Sequence, residues 1–214
     1  TVSGGPLSST PTATPGTVCA GNNVQLDAVA SGGNAGSYIY TWTSTPVGFT
    51  SSLANPIANP TVNTTYNVAV FDGFTTVNSS VAVSVNALPD IPTITADGAS
   101  TFCSGGSVTL TSSAGSSYLW STGATTAGIN VTASGSYTVR VTNAAGCQSA
   151  ASAATVVTVN ALPTAPTITA GGSTTFCAGG SVTLTSSAGS SYLWSTGATT
   201  AGINVTGSGS YTVQ

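Results

Sequence analysis

Lysine, histidine, glutamate and methionine are all absent from this 214-residue chain. Its charge is confined to Asp27, Asp72, Asp90, Asp97 and Arg140, or 2% of residues, where about 25% is usual. Each absence excludes something. General acid–base catalysis calls on a histidine, a paired carboxylate or a tuned lysine, and a serine without a base is inert, so no catalysis is expected. Nucleic-acid binding needs clustered Lys and Arg to release counterions, and one arginine cannot do this. A polybasic membrane-surface site fails for the same reason. No run of about 20 apolar residues is present, so no membrane insertion is expected. Without histidine and without a C-x-x-C pair, zinc has no ligand set, and no cofactor is expected.

What fills the chain is Thr, Ser, Gly, Ala, Asn and Val, arranged in repeats. Residues 92–140 and 166–214 align at an offset of 74 (Cys103 to Cys177, Trp120 to Trp194), and only positions 97, 99, 100, 104, 133 and 140 differ. A more distant copy precedes them: Thr17-Val-Cys-Ala-Gly-Asn-Asn-Val-Gln-Leu26 matches Thr101-Phe-Cys-Ser-Gly-Gly-Ser-Val-Thr-Leu110. The joint Val-Asn-Ala-Leu-Pro recurs at 85–89 and 159–163. A period of this length means tandem domains. The expected division is 1–9 as the end of a preceding domain and linker, then domains at 10–89, 90–163 and 164–214. The last of these lacks a counterpart of 141–159 and hence its final strand. That strand is expected from the same polypeptide or from a neighbouring subunit.

Apolar–polar alternation marks half-buried strands. In the middle copy they are expected near 91–96, 107–113, 117–121, 128–132, 135–142 and 153–160, with Gly/Ser clusters as turns between them. No segment has a helical apolar period, so the fold class is all-β, and short strands between frequent turn signals favour tandem antiparallel β-sandwiches in a rod, the short Pro-containing joints making it semi-rigid. Each copy holds one tryptophan, Trp42, Trp120 or Trp194, expected as a core pin contributing about 3 kcal/mol; a sugar-binding ring is the alternative. Tyr66, Tyr137 and Tyr211 follow turns, the placement of a tyrosine corner.

The Cys-x-Gly-x-x-Val-x-Leu opening, Tyr118-Leu-Trp-Ser-Thr-Gly-Ala, Gly135-Ser-Tyr-Thr-Val and Asn143-Ala-Ala-Gly-Cys147 resemble the immunoglobulin-like repeats of bacterial cell-surface proteins, especially the large secreted adhesins of Bacteroidota exported by the type IX system. The first copy, with Tyr40-Thr-Trp-Thr-Ser-Thr-Pro and Asn59-Pro-Thr-Val-Asn-Thr-Thr-Tyr, is similar to the PKD-like variety. The resemblance implies a fold and an export class. It leaves function open, because such repeats serve in adhesins, in filaments and as spacers of enzymes.

Four cysteines remain: 19, 103, 147 and 177. Cys103 precedes the strand at 107–113 and Cys147 follows that at 135–142, ends expected to meet at one end of a sandwich. The expected disulfide is Cys103–Cys147, closing 147 − 103 = 44 residues and worth about 4 kcal/mol in the chain-entropy account. Cys19 and Cys177 are then without intrachain partners, and the compartment is oxidising, extracellular or at the cell surface. Asp90 and Asp97 flank a joint and could help hold calcium, but Thr164 and Gly171 replace them in the next joint, so solvated turns are expected and no metal. Asn-x-Ser/Thr triplets at Asn63, Asn78, Asn130 and Asn204 match glycosylation acceptors, as a Thr- and Asn-rich chain does by chance. The leading functional expectation is a structural or adhesive surface fibre, its partners being copies of itself, end to end or lateral, and surface glycans or other cells. The alternative is a carbohydrate-binding or spacer module of a larger secreted enzyme. Ice binding through threonine rows ranks last, because 74 residues is too long a period for it.

Overall fold

The structure, a computed structural model, describes residues 5–34 and 37–214; the expectation for residues 1–4 lies outside them. Every regular element described is a strand. The chain divides into two compact units, Thr1–Val159 and Asn160–Gln214. The first unit contains two sandwiches and the second contains one.

In the first sandwich Thr12–Thr14, Val24–Asp27 and Ile57–Ala58 form one sheet. The facing sheet runs Thr17–Cys19, Thr76–Asn86, Thr64–Phe71, Ile39–Thr45, Thr50–Ser51. Thr17–Cys19 lies parallel to the last strand, Ser84 to Asn86 matching Thr17 to Cys19, while the other pairs of this sheet are antiparallel. Thr64–Phe71 alternates as its sequence does, sending Tyr66, Val68 and Val70 onto Val24, Leu26 and Trp42. Ser8–Ser9 pairs with Ala30–Ser31, and Leu7 packs on this core. Leu7, Ser8 and Ser9, expected in the linker, thus pack and pair with the first sandwich.

The second sandwich repeats the plan. Ile94–Ala96, Val108–Ser112 and Gly128–Val131 make one sheet. Opposite it, Thr101–Cys103, Thr155–Asn160 and Gly135–Tyr137 run side by side, and Ser117–Trp120 pairs with Val139–Thr142. This strand order, with the tryptophan on the third long strand, is that of immunoglobulin-like domains. The stretch expected as one strand, 135–142, is two. Its first half pairs with Thr155–Asn160 and its second with Ser117–Trp120. The break falls at Thr138, whose amide and carbonyl are both taken by Ser121. The strand expected from 153 starts at Thr155, because Ser149 and Ser152 take over the pairing before it. Their hydroxyls accept the Val141 and Val139 amides at 3.1 Å, and their own amides donate to the same residues' carbonyls at 2.9 Å. Those bonds explain two buried serines.

The third sandwich, in the second unit, has Ile168–Ala170, Val182–Ser186 and Gly202–Val205 as one sheet, and a bridge between Trp194 and Val213 opposite. Ser112 and Ser186, 74 residues apart, each bury a hydroxyl that has no partner among the described residues. An unpaired buried hydroxyl opposes folding, so Ser112→Ala is expected to raise the unfolding free energy of the second sandwich by about 1 kcal/mol, read from urea titration. A loss of stability instead would show that the hydroxyl is paired.

Candidate functional site: a stapled joint and an open groove

The sulfurs come together differently from the sequence expectation. Cys147 is bonded to Cys19, across the joint between the first and second sandwiches, with Cα atoms 5.6 Å apart and a sequence separation of 128. The expected Cys103–Cys147 bridge is not formed, and Cys19 is not unpaired; Cys103 and Cys177 are free and exposed. Strand direction is the reason. The Thr158 amide donates to the Ser100 carbonyl as Ser84 donates to Gly16. Thr101–Cys103 therefore runs alongside Thr155–Asn160 toward its far end. Cys147 sits in the turn before that strand begins. Six residues of strand, about 20 Å, separate the two poles, and a disulfide needs Cα atoms within about 7 Å. Cys19, by contrast, is in register with Asn86 at the mouth of the joint.

The joint carries further bonds. Asn143 donates its side-chain amide to the Ala87 carbonyl at 2.9 Å, and its Oδ1 accepts the Ala145 and Cys147 amides. The turn Asn143–Cys147 is thus shaped by one asparagine that also grips the linker. The sequence offered no signal for this pairing, because the copy that holds Cys147 also holds Cys103.

Trp42, Trp120 and Trp194 are 0%, 2% and 2% exposed. Each indole N–H donates to a carbonyl six or eleven residues on: Leu53 at 3.0 Å, Thr126 at 2.8 Å, Thr200 at 2.9 Å. None presents a face to a sugar. The Tyr137 and Tyr211 hydroxyls donate four residues upstream, to Ala133 and Gly207 at 2.9 and 3.0 Å, which is the corner geometry. Tyr66 is instead buried edge-on against Phe49, ring centres 5.2 Å apart.

Among the described residues no three His, Cys, Asp or Glu side chains cluster as metal ligands. Thr109 hydrogen-bonds the Asp97 carboxylate through its side chain and through its amide, the latter at 2.8 Å, and these bonds lower the Asp97 pKa. Asp72 closes the hairpin between Thr64–Phe71 and Thr76–Asn86. Its carboxylate accepts the amides of Thr75, Asn34 and Phe74, which lowers its pKa from 3.8 to about 2. Gly33 (φ +60°) comes so near this carboxylate that a Cβ would collide with it. A folded-state pKa below the unfolded value means stability that is full above about pH 4 and is lost as pH falls from there to about 2. Asp72→Asn is expected to flatten that acid limb of the first sandwich's stability curve. An unchanged limb would show that these bonds do not favour the charged carboxylate.

The third sandwich has a groove of about 430 Å³ lined by Thr174, Phe176, Leu184, Val205, Ser208 and Tyr211, among others. Its core is less covered than its counterpart: Leu184 and Val182 are 8% and 7% exposed, Leu110 and Val108 0% and 2%.

No protein-family model matches the chain, and no curated protein matches it. Solved structures do. Three N-terminal domains of the highly immunogenic outer capsid protein of bacteriophage RB49 match over 88% of this chain and 74% of theirs, at 19% identity and a TM-score of 0.34. A calcium-stabilised adhesin that helps an Antarctic bacterium reach out and bind ice matches over 96% of this chain and 66% of its own, at 17% identity and a TM-score of 0.41. The chain is an all-β protein of immunoglobulin-like sandwiches, an assignment carried by the strand order above.

Proposed function

We propose that the chain is a non-catalytic segment of an extracellular surface fibre, structural or adhesive, of the kind that secreted bacterial adhesins of the type IX class build from repeats. The observation that carries this reading is the Cys19–Cys147 disulfide across a joint between consecutive sandwiches. A bond there couples neighbouring domains where a single sandwich needs no such help, and it persists only in an oxidising compartment. Two further features support it. Charge is almost absent, which leaves trypsin-like proteases one arginine to cut at. Hydrophobic side chains such as Phe74, 76% exposed at the hairpin tip, offer contact to other surfaces or copies. The spacer or sugar-binding reading loses its aromatic platform with the burial of the tryptophans.

Immunogold labelling of intact cells of the source organism with antibody to this chain tests the proposal. Label along surface filaments is the expected result. Label confined to secreted enzyme complexes, or seen only after the cells are broken, would overturn it.

A further inference from the structure

We infer that the pocket at the Thr45 end of the first sandwich is a binding site for a neutral sugar, one pyranose ring, with the Tyr66 hydroxyl as its central hydrogen-bonding group. One residue decides where this tyrosine goes. In the second and third sandwiches the position two before the corner tyrosine is glycine, Gly135 or Gly209. The ring lies over it, so close that a Cβ there would stand 3.2 or 3.4 Å from ring atoms. The hydroxyl then reaches the carbonyl four residues upstream. In the first sandwich the same position is Thr64. A Cβ now stands where the ring would lie, and the threonine hydroxyl donates to the Val62 carbonyl at 2.7 Å. That is the group Tyr66 would otherwise take. Tyr66 turns instead onto Phe49. It is 2% exposed, and its hydroxyl has no partner among the described residues. That hydroxyl is not sealed off as those of Ser112 and Ser186 are. Tyr66 lines the pocket, and its remaining surface opens there. Buried polar groups are as a rule paired, so an unpaired hydroxyl facing a pocket marks a place for a ligand.

The rest of the pocket selects the ligand. Its volume is about 330 Å³, at the small end of ligand sites. No described residue lining it is charged, so a carboxylate, a phosphate or an ammonium finds no counter-ion there. Burial raises the Tyr66 pKa, which keeps the phenol a neutral donor. Apolar surface of Pro46, Phe49 and Val62 stands beside the polar groups of Asn59 and Thr61. A pyranose matches both, with C–H faces for the apolar walls and a rim of hydroxyls for Tyr66 and its polar neighbours. The walls are set in advance. The Ser44 hydroxyl accepts the Phe49 amide at 3.0 Å and donates to the Pro46 carbonyl at 2.7 Å. The Pro60 carbonyl accepts the Gly21 amide at 2.8 Å, and the Asn59 side-chain amide donates to Asn23. Little ordering is left for binding to impose. An extended peptide fits less well, because strand addition needs a free edge, and the strands flanking the pocket, Ile39–Thr45 and Thr64–Phe71, pair with each other. A pit of this kind is a different device from the flat tryptophan platform, which the burial of the three indoles removes. This ligand extends the adhesive reading without resting on it. That reading is tested by where the chain lies on a cell, this assignment by what the purified chain binds.

The test uses the full 214-residue chain and four probes: the methyl glycosides of glucose, galactose and mannose, and that of glucuronic acid as the charged control. Binding is followed by NMR titration. At least one neutral glycoside is expected to bind saturably, with a dissociation constant of about 0.1–10 mM, and to shift the ring resonances of Tyr66 and Phe49. The glucuronide is expected to bind about tenfold more weakly than the best neutral probe, because its carboxylate loses water and gains no partner. Tyr66→Phe removes the hydroxyl alone. It is expected to weaken binding about fivefold and to leave the melting temperature of the first sandwich unchanged, since that hydroxyl serves no bond within the fold. Tyr137→Phe is the converse control, because its hydroxyl is bonded to Ala133. It should lower the melting temperature of the second sandwich and leave sugar binding as it was. No saturable binding by any neutral glycoside, shifts confined to other residues, or equal binding by the glucuronide or by the Tyr66→Phe chain would each overturn the assignment. A lower melting temperature for Tyr66→Phe would overturn it too, by showing the hydroxyl already spent in folding.

Discussion

A Cys19→Ser chain is expected to melt about 10 °C or more below the oxidised protein, in the transition of the first two sandwiches and not in that of the third. The disulfide spans 128 residues, and a cross-link of that span removes about 5 kcal/mol of denatured-chain entropy. The constraint is shared between two sandwiches, but half of it already moves the midpoint of a domain this size by about 10 °C. Scanning calorimetry of the oxidised, reduced and Cys19→Ser proteins reads the effect directly. Reduction should reproduce the substitution. Cys103→Ser should leave the transition in place, because its thiol is free. A drop on replacing Cys103 and none on replacing Cys19 would restore the intra-domain pairing and refute the staple.

Trp120→Ala is expected to remove about 3–5 kcal/mol from the second sandwich, a large share of the roughly 5–15 kcal/mol that such a domain has. The ring is the largest buried side chain there, packed among Val108, Leu110, Val131, Val139 and Val157, and the neighbours sit on two sheets that cannot close over the void. Trp120→Phe separates the two parts of the effect. It keeps much of the apolar volume but strands the Thr126 carbonyl, bonded at 2.8 Å to the indole, at about 1–3 kcal/mol. Urea titration followed by far-ultraviolet circular dichroism orders the three proteins. A loss below about 1 kcal/mol for the alanine variant would place the ring outside the core.

Much of this fold was legible because period-2 alternation survives in short strands. Val108-Thr-Leu110 and Gly135-Ser-Tyr137 announce their faces without any helical competitor, and the near-identity of two copies transfers each strand from one to the other. The tryptophans were legible for the same reason. The disulfide was not. Spacing within one repeat says how far apart two cysteines lie along the chain, but their separation in space depends on which pole each strand end occupies. That is set by the parallel run of Thr17–Cys19 along the last strand, a long-range pairing with no local signature. The split of 135–142 was hidden too. Its residues alternate without interruption, and the break at Thr138 comes from which neighbours each half meets. Ser149 and Ser152 read as polar loop, yet they are buried as substitutes for a strand's backbone.

The bond between Cys19 and Cys147 also decides how the molecule would answer a pull. Tension applied between residues on either side of this segment enters at Cys19, crosses the sulfurs and leaves at Cys147. The 127 residues from 20 to 146 lie off that path. Their strands bear no tension, and about 430 Å of contour length stays withheld however far the rest is drawn out. Under oxidising conditions the stretch from 20 to 146 is therefore inextensible to the ends of the chain, and only strands outside it, such as Thr12–Thr14 and Thr155–Asn160, can be drawn out. A reductant would turn the same stretch into a spring that lengthens in a step.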